Sequence, residues 1–177
     1  MSRSLGSTEL KRLHREWRRL GLAKVSLLLD SVATPANVGS ILRTAAAMRV
    51  EEIWVCGQTP DTDSGGVNRT ALGSQRFVTI HRCEQPAQAV VEAHAAGYQV
   101  LALELADDAT ALHDLDLTGP VCLAVGHEDR GLSATTLAAA DLTGFIPQLG
   151  RIGSLNAATA ASIALYECRR QGWPAGA

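Results

Sequence analysis

The sequence lacks any run of apolar residues approaching the roughly 18–20 that a membrane-spanning helix needs. Its first residues, Met1–Leu5, lack the apolar centre of a signal peptide. The chain has no C-x-x-C pair, which argues against a zinc knuckle, and its four cysteines are far apart (Cys56, Cys83, Cys122 and Cys168). We therefore expect a cytoplasmic protein, bound to no membrane, whose cysteines are small buried thiols.

The fingerprints of several common enzyme sites are also absent. No G-x-G-x-x-G follows the first predicted strand, and no G-x-x-x-x-G-K-[ST] occurs anywhere, so Rossmann dinucleotide and P-loop sites are poorly supported. There is no G-x-S-x-G elbow of a serine hydrolase. The run His127, Glu128, Asp129 contains metal-ligand types, but neighbours on one turn cannot all face one ion, so we expect no metal.

The chain does have the size and composition of one globular domain. It has 177 residues, of which 46% are hydrophobic and 19% charged, enough to bury a core without staples. Residues 1–24 hold seven Lys and Arg and two Glu, a local charge of +5. Because the net charge of the whole chain is −2, the remaining residues carry a charge of −7. A basic end on an acidic body indicates a polyanionic partner.

The basic segment at residues 1–24 has the pattern of one amphipathic helix. Its apolar residues recur at steps of three and four positions (Leu10, Leu13, Trp17 and Leu20). Ser7 or Thr8 can cap its start, and Gly21 can end it. We predict that the apolar stripe docks on the body or on a partner subunit and leaves the arginines outward. A solvated face that only keeps the protein soluble is the alternative.

From residue 25 onward, strand and helix patterns alternate. Strands are predicted at 25–29, 52–56, 77–81, 98–105, 121–125 and 145–147, and helices at 35–49, 86–96 and 155–170. Residues 57–68 are rich in turn formers and predict a mobile loop. The alternation predicts an α/β fold, a mostly parallel sheet with helices on both faces, in one domain (25–177) behind a short N-terminal helical extension (1–24).

Three polar, glycine-containing segments follow predicted strands, where the functional loops of parallel sheets lie. The first contains Asn37, Gly39, Arg43 and Ala45; the second contains Gly126, Glu128, Gly131 and Leu132; the third contains Ile146, Pro147, Ser154, Leu155, Asn156 and Ala160. Each segment alone has little specificity, because glycine at a strand exit is common turn chemistry.

Taken in order, the three segments resemble motifs 1, 2 and 3 of the SpoU/TrmH family of RNA ribose 2′-O-methyltransferases, in the SPOUT superfamily. The resemblance covers roughly residues 25–171, and Gln148 departs from the methionine that often follows Ile-Pro. It implies a SPOUT-type α/β fold with a deep C-terminal trefoil knot, a homodimer, and S-adenosylmethionine as the cofactor. It also implies methyl transfer to a ribose of tRNA or rRNA, and the sequence leaves the choice of RNA open.

The resemblance implies roles for individual residues. The catalytic candidates are Arg43, Asn37, Glu128, Ser154 and Asn156, and the cofactor-binding candidates are Leu103, Gly126, Ile146, Ser154 and Leu155. RNA contacts are expected from Arg12, Arg15, Arg18 and Arg19, with Arg69 and Arg76 as further candidates. Glu128 is expected to orient Arg43 or Asn37, and pure helix capping is the alternative for Ser154.

Two questions of mechanism stay open at this point. Arg43 either assists deprotonation of the 2′-hydroxyl or clamps a phosphate and stabilises the developing alkoxide, and the second is physically easier because a guanidinium stays protonated. The other class of function compatible with this sequence is a catalytically silent RNA-binding module with the same fold.

Overall fold

The computed structural model describes residues 3–173, and the outer ends of both predicted segments, residues 1–2 and 174–177, lie outside them. The described chain has seven strands: β1 Val25–Asp30, β2 Glu52–Cys56, β3 Thr79–Arg82, β4 Gln99–Leu103, β5 Thr110–Ala111, β6 Val121–Val125 and β7 Leu142–Phe145. It has six α-helices: α1 Ser7–Arg18, α2 Pro35–Ala47, α3 Gly65–Ala71, α4 Pro86–Ala95, α5 Ala134–Ala139 and α6 Ala157–Gly172. Within the described residues, no helix combines the length and the apolar character needed to cross a membrane.

The strands form one sheet in the order β3-β2-β1-β6-β4-β7-β5, and every strand pair in it is parallel. The predicted α/β fold with a parallel sheet is confirmed. Because all strands run in one direction, their carboxyl ends meet at the same edge of the sheet. Strand order does not trace how the C-terminal segment is threaded, so the trefoil knot stays a prediction.

Helices cover both faces of this sheet, as predicted. On β1, Leu27 and Leu29 pack in one apolar cluster with residues of α2, α3 and α6. Leu28, between them, packs in a second cluster with residues of α4. Successive side chains of a strand point to opposite faces, so a strand covered on both sides is apolar at every position. This explains why the central strands read as continuous apolar runs.

The prediction of a loop over residues 57–68 is wrong in its last part, because α3 begins at Gly65. The Ser64 hydroxyl accepts the N–H of Val67 at 3.5 Å and caps the helix. A Cβ at Gly39 of α2 would collide with Thr70 and with the backbone of Val67, so the two helices touch closely at this glycine. Packing on α2 therefore overrides the turn preference of the Gly-Gly pair.

Several other boundaries differ from the prediction for local reasons. Helix α5 is absent from the prediction. The Ser133 hydroxyl caps this helix by accepting a hydrogen bond from the Thr136 N–H at 3.2 Å. The last helix begins at Ala157 instead of residue 155, because Asn156 is its cap. Strand β3 covers 79–82 instead of 77–81, and β7 covers 142–145 instead of 145–147.

Helix α1 forms as predicted, with shifted ends and looser docking. Its N-cap is Gly6, whose N–H donates to the Glu9 carboxylate at 2.9 Å, and it ends at Arg18, three residues before Gly21. None of its residues is buried, and its apolar stripe (Leu10, Leu13 and Trp17) is 37–42% exposed. The Trp17 ring packs edge-on against Trp173, 5.3 Å between centroids, so the stripe meets the body at its C-terminal end.

Candidate active site

A cleft of about 900 Å³ lies at the carboxyl edge of the sheet. Val125, Leu103 and Phe145, the last residues of the adjacent strands β6, β4 and β7, line its base. The segments 126–131 and 150–157 form its walls. Functional sites of parallel α/β sheets occupy this position, where loops leave neighbouring strands.

Most of the predicted catalytic and cofactor-binding residues meet in this cleft. Its lining includes all five predicted cofactor residues and three of the five predicted catalytic residues, with Ser154 in both sets: Leu103, Gly126, Glu128, Ile146, Ser154, Leu155 and Asn156. Asn37 and Arg43 are not part of the lining, and neither are the six predicted RNA-binding arginines. The fold thus brings together segments that are far apart in the chain.

Glu128 ties the loop after β6 to the start of α2. Its carboxylate accepts the backbone N–H groups of Ala33 at 2.9 Å and Thr34 at 3.0 Å. The side-chain amide of Asn37 donates to the same carboxylate at 2.7 Å. The structure therefore places Glu128 against Asn37, and the described contacts of its carboxylate do not include Arg43.

Asn156 extends this link from Asn37 to the last helix. Its amide nitrogen donates to the side-chain oxygen of Asn37 at 2.9 Å, and its own oxygen accepts the N–H groups of Ala158 and Thr159. A carboxylate can only accept hydrogen bonds, and the free N–H groups at a helix N-terminus can only donate them. The side-chain amides of Asn37 and Asn156 therefore have one possible orientation each. The chain Glu128–Asn37–Asn156 joins the three predicted motifs.

The hydrogen bonds keep Glu128 ionised. Burial raises the pKa of its carboxyl group, but the bonds from Asn37 and from the N–H groups of Ala33, Glu128 itself and Thr34 outweigh burial and lower the pKa from 4.5 to about 2. A carboxylate of such low basicity is a poor proton acceptor at neutral pH. Its chemistry is that of an anchor for the donors around it.

Arg43 is an exposed residue of α2. Among residues 3–173 its side chain makes no hydrogen bond and no ion pair. It follows Gly39 by four residues, one helical turn, so it lies on the side of α2 that faces α3. The guanidinium is therefore available to an anionic ligand.

The turn after β6 depends on Gly126. The chain folds back there, with mutual backbone hydrogen bonds between His127 and Gly131 at 3.0 and 2.9 Å. A Cβ on Gly126 would collide with the backbone of Gly131 and Leu132. The Glu104 carboxylate accepts the Leu132 N–H at 2.9 Å and anchors the far end of the turn. Sequence reasoning missed Glu104, because it fell inside a predicted strand, although a carboxylate at a strand exit is a usable signal.

The cofactor candidates on β4 and in the third motif differ in exposure. Leu103 and Ile146 are half-buried, whereas Ser154 is exposed and Leu155 is 39% exposed. Helix α6 is capped by Asn156. Capping, the alternative considered for Ser154, is thus performed by a different residue.

The run His127, Glu128, Asp129 is arranged as a turn. The Asp129 N–H donates to His127 Nδ1 at 3.0 Å, and the Glu128 carboxylate points to α2. Across the described part of the chain, no group of three or more His, Cys, Asp or Glu is placed to hold a metal ion.

The predicted RNA-binding arginines lie on two exposed surfaces outside the cleft. Arg12, Arg15, Arg18 and Arg19 are exposed on or beside α1. Arg69 is exposed on α3, and Arg76 lies in the 3₁₀ turn that follows it.

Most of this chain is similar in sequence to known proteins. A profile of the SpoU rRNA Methylase family matches residues 24–166. An uncharacterized tRNA/rRNA methyltransferase of Synechocystis is 35% identical over 86% of this chain and 56% of its own length. The tRNA (guanosine(18)-2′-O)-methyltransferase of Escherichia coli is 33% identical over 86% of this chain and 66% of its own length.

A solved structure supports the same relationship. The AdoMet-bound rRNA methyltransferase of Sinorhizobium meliloti superposes with a TM-score of 0.78 and 34% identity, covering 85% of this chain and 57% of that one. The chain thus spans between about half and two thirds of the length of these relatives.

Proposed function

This chain belongs to the SpoU rRNA methylase family, and we propose that it transfers a methyl group from S-adenosylmethionine to a ribose 2′-hydroxyl of tRNA or rRNA. The observation that carries the proposal is the hydrogen-bonded chain Glu128–Asn37–Asn156, which joins three separate motifs and has Glu128 and Asn156 in the lining of the cleft. Homologues named for 2′-O-methylation of tRNA support the reaction class.

The cleft suits a nucleoside-containing cofactor. Its volume of about 900 Å³ falls in the range of small-molecule sites, about 300–1,000 Å³. Leu103, Ile146 and Leu155 offer apolar walls for an adenine, and Gly126 brings backbone groups close to the cleft. When bound, S-adenosylmethionine supplies the methyl group.

Arg43 is proposed as the residue that assists the attacking oxygen. Its side chain is exposed, and a guanidinium carries a positive charge on a planar set of donors, so Arg43 is suited to clamping an RNA phosphate and stabilising the negative charge that develops on the 2′-oxygen. Proton removal by Arg43 itself is disfavoured for the same reason. The exposure of Arg43 and the chemistry of its side chain support the role of phosphate clamp.

Three of the remaining catalytic candidates are proposed as positioning residues. Glu128 holds Asn37, and Asn37 holds Asn156 at the start of α6, so these three side chains keep the cleft walls in register. Ser154 has an exposed hydroxyl in the cleft lining, and we assign it to contact with the ribose or phosphate of the substrate. The arginines of α1 supply salt-sensitive phosphate contacts at a distance.

A homodimer is proposed because apolar side chains are exposed beside the cleft. Leu149 and Ile152, in the segment before α6, are 101% and 76% exposed, and on α6 Ile163 and Tyr166 are 41% and 47% exposed. Apolar surface of this kind is covered in assemblies more often than left to water. A second copy of the chain is the partner we assign to it, and sedimentation equilibrium tests this assignment.

The test is methyl transfer from labelled S-adenosylmethionine to total tRNA and, separately, to ribosomal RNA. Digestion and mass spectrometry of the nucleosides should show a 2′-O-methylnucleoside from one pool. Calorimetry should show binding of S-adenosylhomocysteine and none of NAD or ATP. Cofactor binding without label in either pool would point to a missing partner or substrate. The absence of both would favour the silent RNA-binding module.

A further inference from the structure

A second polar surface lies away from the cleft, along α3, the 3₁₀ turn Ser74–Phe77 and β3. It contains Arg69, Arg76, Phe77 and Arg82, which we call the arginine–phenylalanine patch; all four side chains are exposed. Phe77 is 66% exposed, although contact with water is unfavourable for a large aromatic side chain. The Arg76 guanidinium lies 4.7 Å from the centre of its ring.

The patch is a basic area on an acidic body. Residues 65–82 contain three arginines and no Asp or Glu, whereas residues 25–177 together carry a net charge of −7. Among the described residues 3–173, none of the three arginines is in an ion pair. Arg76 and Arg82 line the same groove, and unpaired guanidinium groups at one site attract a polyanion.

Two residues of the patch, Arg76 and Arg82, line a groove of about 660 Å³. Its lining also includes the apolar side chains of Val78 and Ile80, and Asp63 is its acidic member. The Arg82 guanidinium also donates to the Pro60 carbonyl at 3.5 Å, which holds it at the groove. The groove therefore offers both cationic and apolar contacts.

The backbone around the patch is held in place before any ligand binds. Leu72 and Gly73 have φ of +52° and +75°, two successive left-handed residues that turn the chain from α3 into the 3₁₀ turn. The Gln75 amide donates to Asn68, and Asn68 donates to the Asp63 carbonyl at 2.8 Å. A ligand that meets a fixed surface loses less binding energy to ordering of the protein.

The patch is connected to the proposed active site through α2. Helix α3 packs on Gly39 of α2, and Arg43 lies one turn further along the same side of that helix. An extended polyanion can therefore lie across the patch and Arg43. This connection rests on the function proposed above.

We propose that the arginine–phenylalanine patch binds an unpaired nucleotide of the substrate RNA. Arg76 covers one face of the Phe77 ring, and a base stacks on the other, while Arg69, Arg76 and Arg82 contact the flanking phosphates. Aromatic side chains stack on any base, and paired cations follow the backbone, so this is a positioning subsite that does not select sequence. A duplex does not fit, because its bases are already stacked.

The test compares Phe77→Ala, Phe77→Leu and Phe77→Trp for binding of labelled tRNA and ribosomal RNA by filter retention. Loss of one stacked base corresponds to about a 5- to 150-fold weaker affinity. We expect that loss in Phe77→Ala and Phe77→Leu and near wild-type affinity in Phe77→Trp, because leucine keeps apolar bulk without a π face. Val91→Ala removes an equally exposed apolar side chain from α4, 66% in both cases, and should have no effect.

Methyl transfer separates this inference from the proposed function. For Phe77→Ala we expect a higher KM for RNA, an unchanged kcat and unchanged binding of S-adenosylhomocysteine. Wild-type affinity in Phe77→Ala, or full retention in Phe77→Leu, would overturn the stacking platform even if the enzyme is active. RNA binding that depends on Phe77 without any methyl transfer would overturn the proposed activity and leave the platform standing. A wild-type protein that binds neither RNA overturns the platform as well.

Discussion

The side-chain amide of Asn37 lies 2.7 Å from a carboxylate oxygen of Glu128, although 91 positions separate the two residues in the chain. The contact joins the first turn of α2 to the loop that leaves β6. The same carboxylate accepts hydrogen bonds from two backbone N–H groups of the segment before α2, so it satisfies three donors at once. Because Asn37 also accepts a hydrogen bond from Asn156, the chain Glu128–Asn37–Asn156 links the two walls of the proposed active site.

Glu128→Gln should lower stability in a pH-dependent way. A neutral amide replaces a carboxylate that accepts three hydrogen bonds, so we expect a loss of about 1–3 kcal/mol in the free energy of unfolding at pH 7. The pKa of Glu128 is lowered from 4.5 to about 2 on folding, so its contribution is complete above pH 4.5 and disappears as the pH falls toward 2. Urea unfolding should show the difference from wild type shrinking across that window.

The control for this prediction is Glu84→Gln, which changes an exposed glutamate outside the cleft. It should leave the stability curve unchanged. A deficit in Glu128→Gln that stays constant from pH 7 to pH 2 would assign the effect to packing instead of to the ionised carboxylate.

Arg43→Ala should reduce kcat for methyl transfer by at least about 100-fold, the scale of losing one key transition-state donor. The side chain is exposed and has no described partner, so the melting temperature and S-adenosylhomocysteine binding should stay at wild-type values. Arg43→Lys keeps the charge and loses the planar fork, and it should retain part of the activity. Full activity in Arg43→Ala would remove this residue from the mechanism.

Gly126→Ala should damage the cleft from within. The added Cβ would collide with the backbone of Gly131 and Leu132, so the turn must move and S-adenosylhomocysteine binding should weaken at least about tenfold. Gly150→Ala is the matched variant, because that glycine lines the same cleft and has open space at its Cβ position. Calorimetry on both variants checks the prediction, and equal affinities would contradict it.

Replacing Arg12, Arg15, Arg18 and Arg19 by glutamine should weaken RNA binding and flatten its salt dependence. Each lost phosphate contact removes about 0.7–0.9 from the slope of log affinity against log salt. The four side chains are exposed, so folding and cofactor binding should be unaffected. Filter binding from low to moderate salt measures the slope, and an unchanged slope would return α1 to the role of a solubilising face.

The four cysteines should be unreactive in the folded protein. Burial is the main cause that raises the pKa of Cys56, Cys122 and Cys168 to about 12 and that of Cys83 to about 11. The thiolate is the reactive form, so a thiol reagent at pH 8 should label none of them before unfolding and all four in urea. Rapid labelling of a native thiol would show that the strand, helix or loop that carries it opens locally.

Local patterns in the sequence determined the class of fold. Strands such as 121–125 are continuous apolar runs, and helices such as 86–96 are amphipathic stretches. Both patterns depend only on residues that are close together in the chain. The second and third motifs likewise predicted residues that line the cleft, because strand exits are visible in the sequence and parallel strands deliver them to one edge. Asn37 and Arg43 of the first motif lie outside that lining. Helix α3 escaped prediction, since its stability comes from contact with Gly39 of a different helix.

Only the tertiary structure decided which of those residues touch. Glu128 had two candidate partners in the sequence, and the fold gave it Asn37 while leaving Arg43 exposed on α2. The tertiary structure likewise decided that Asn156, and not Ser154, caps α6. It also placed Phe77, still exposed, against Arg76, which no sequence pattern indicated. Such pairings depend on distances between segments far apart in the chain, and a linear pattern contains information only about neighbours.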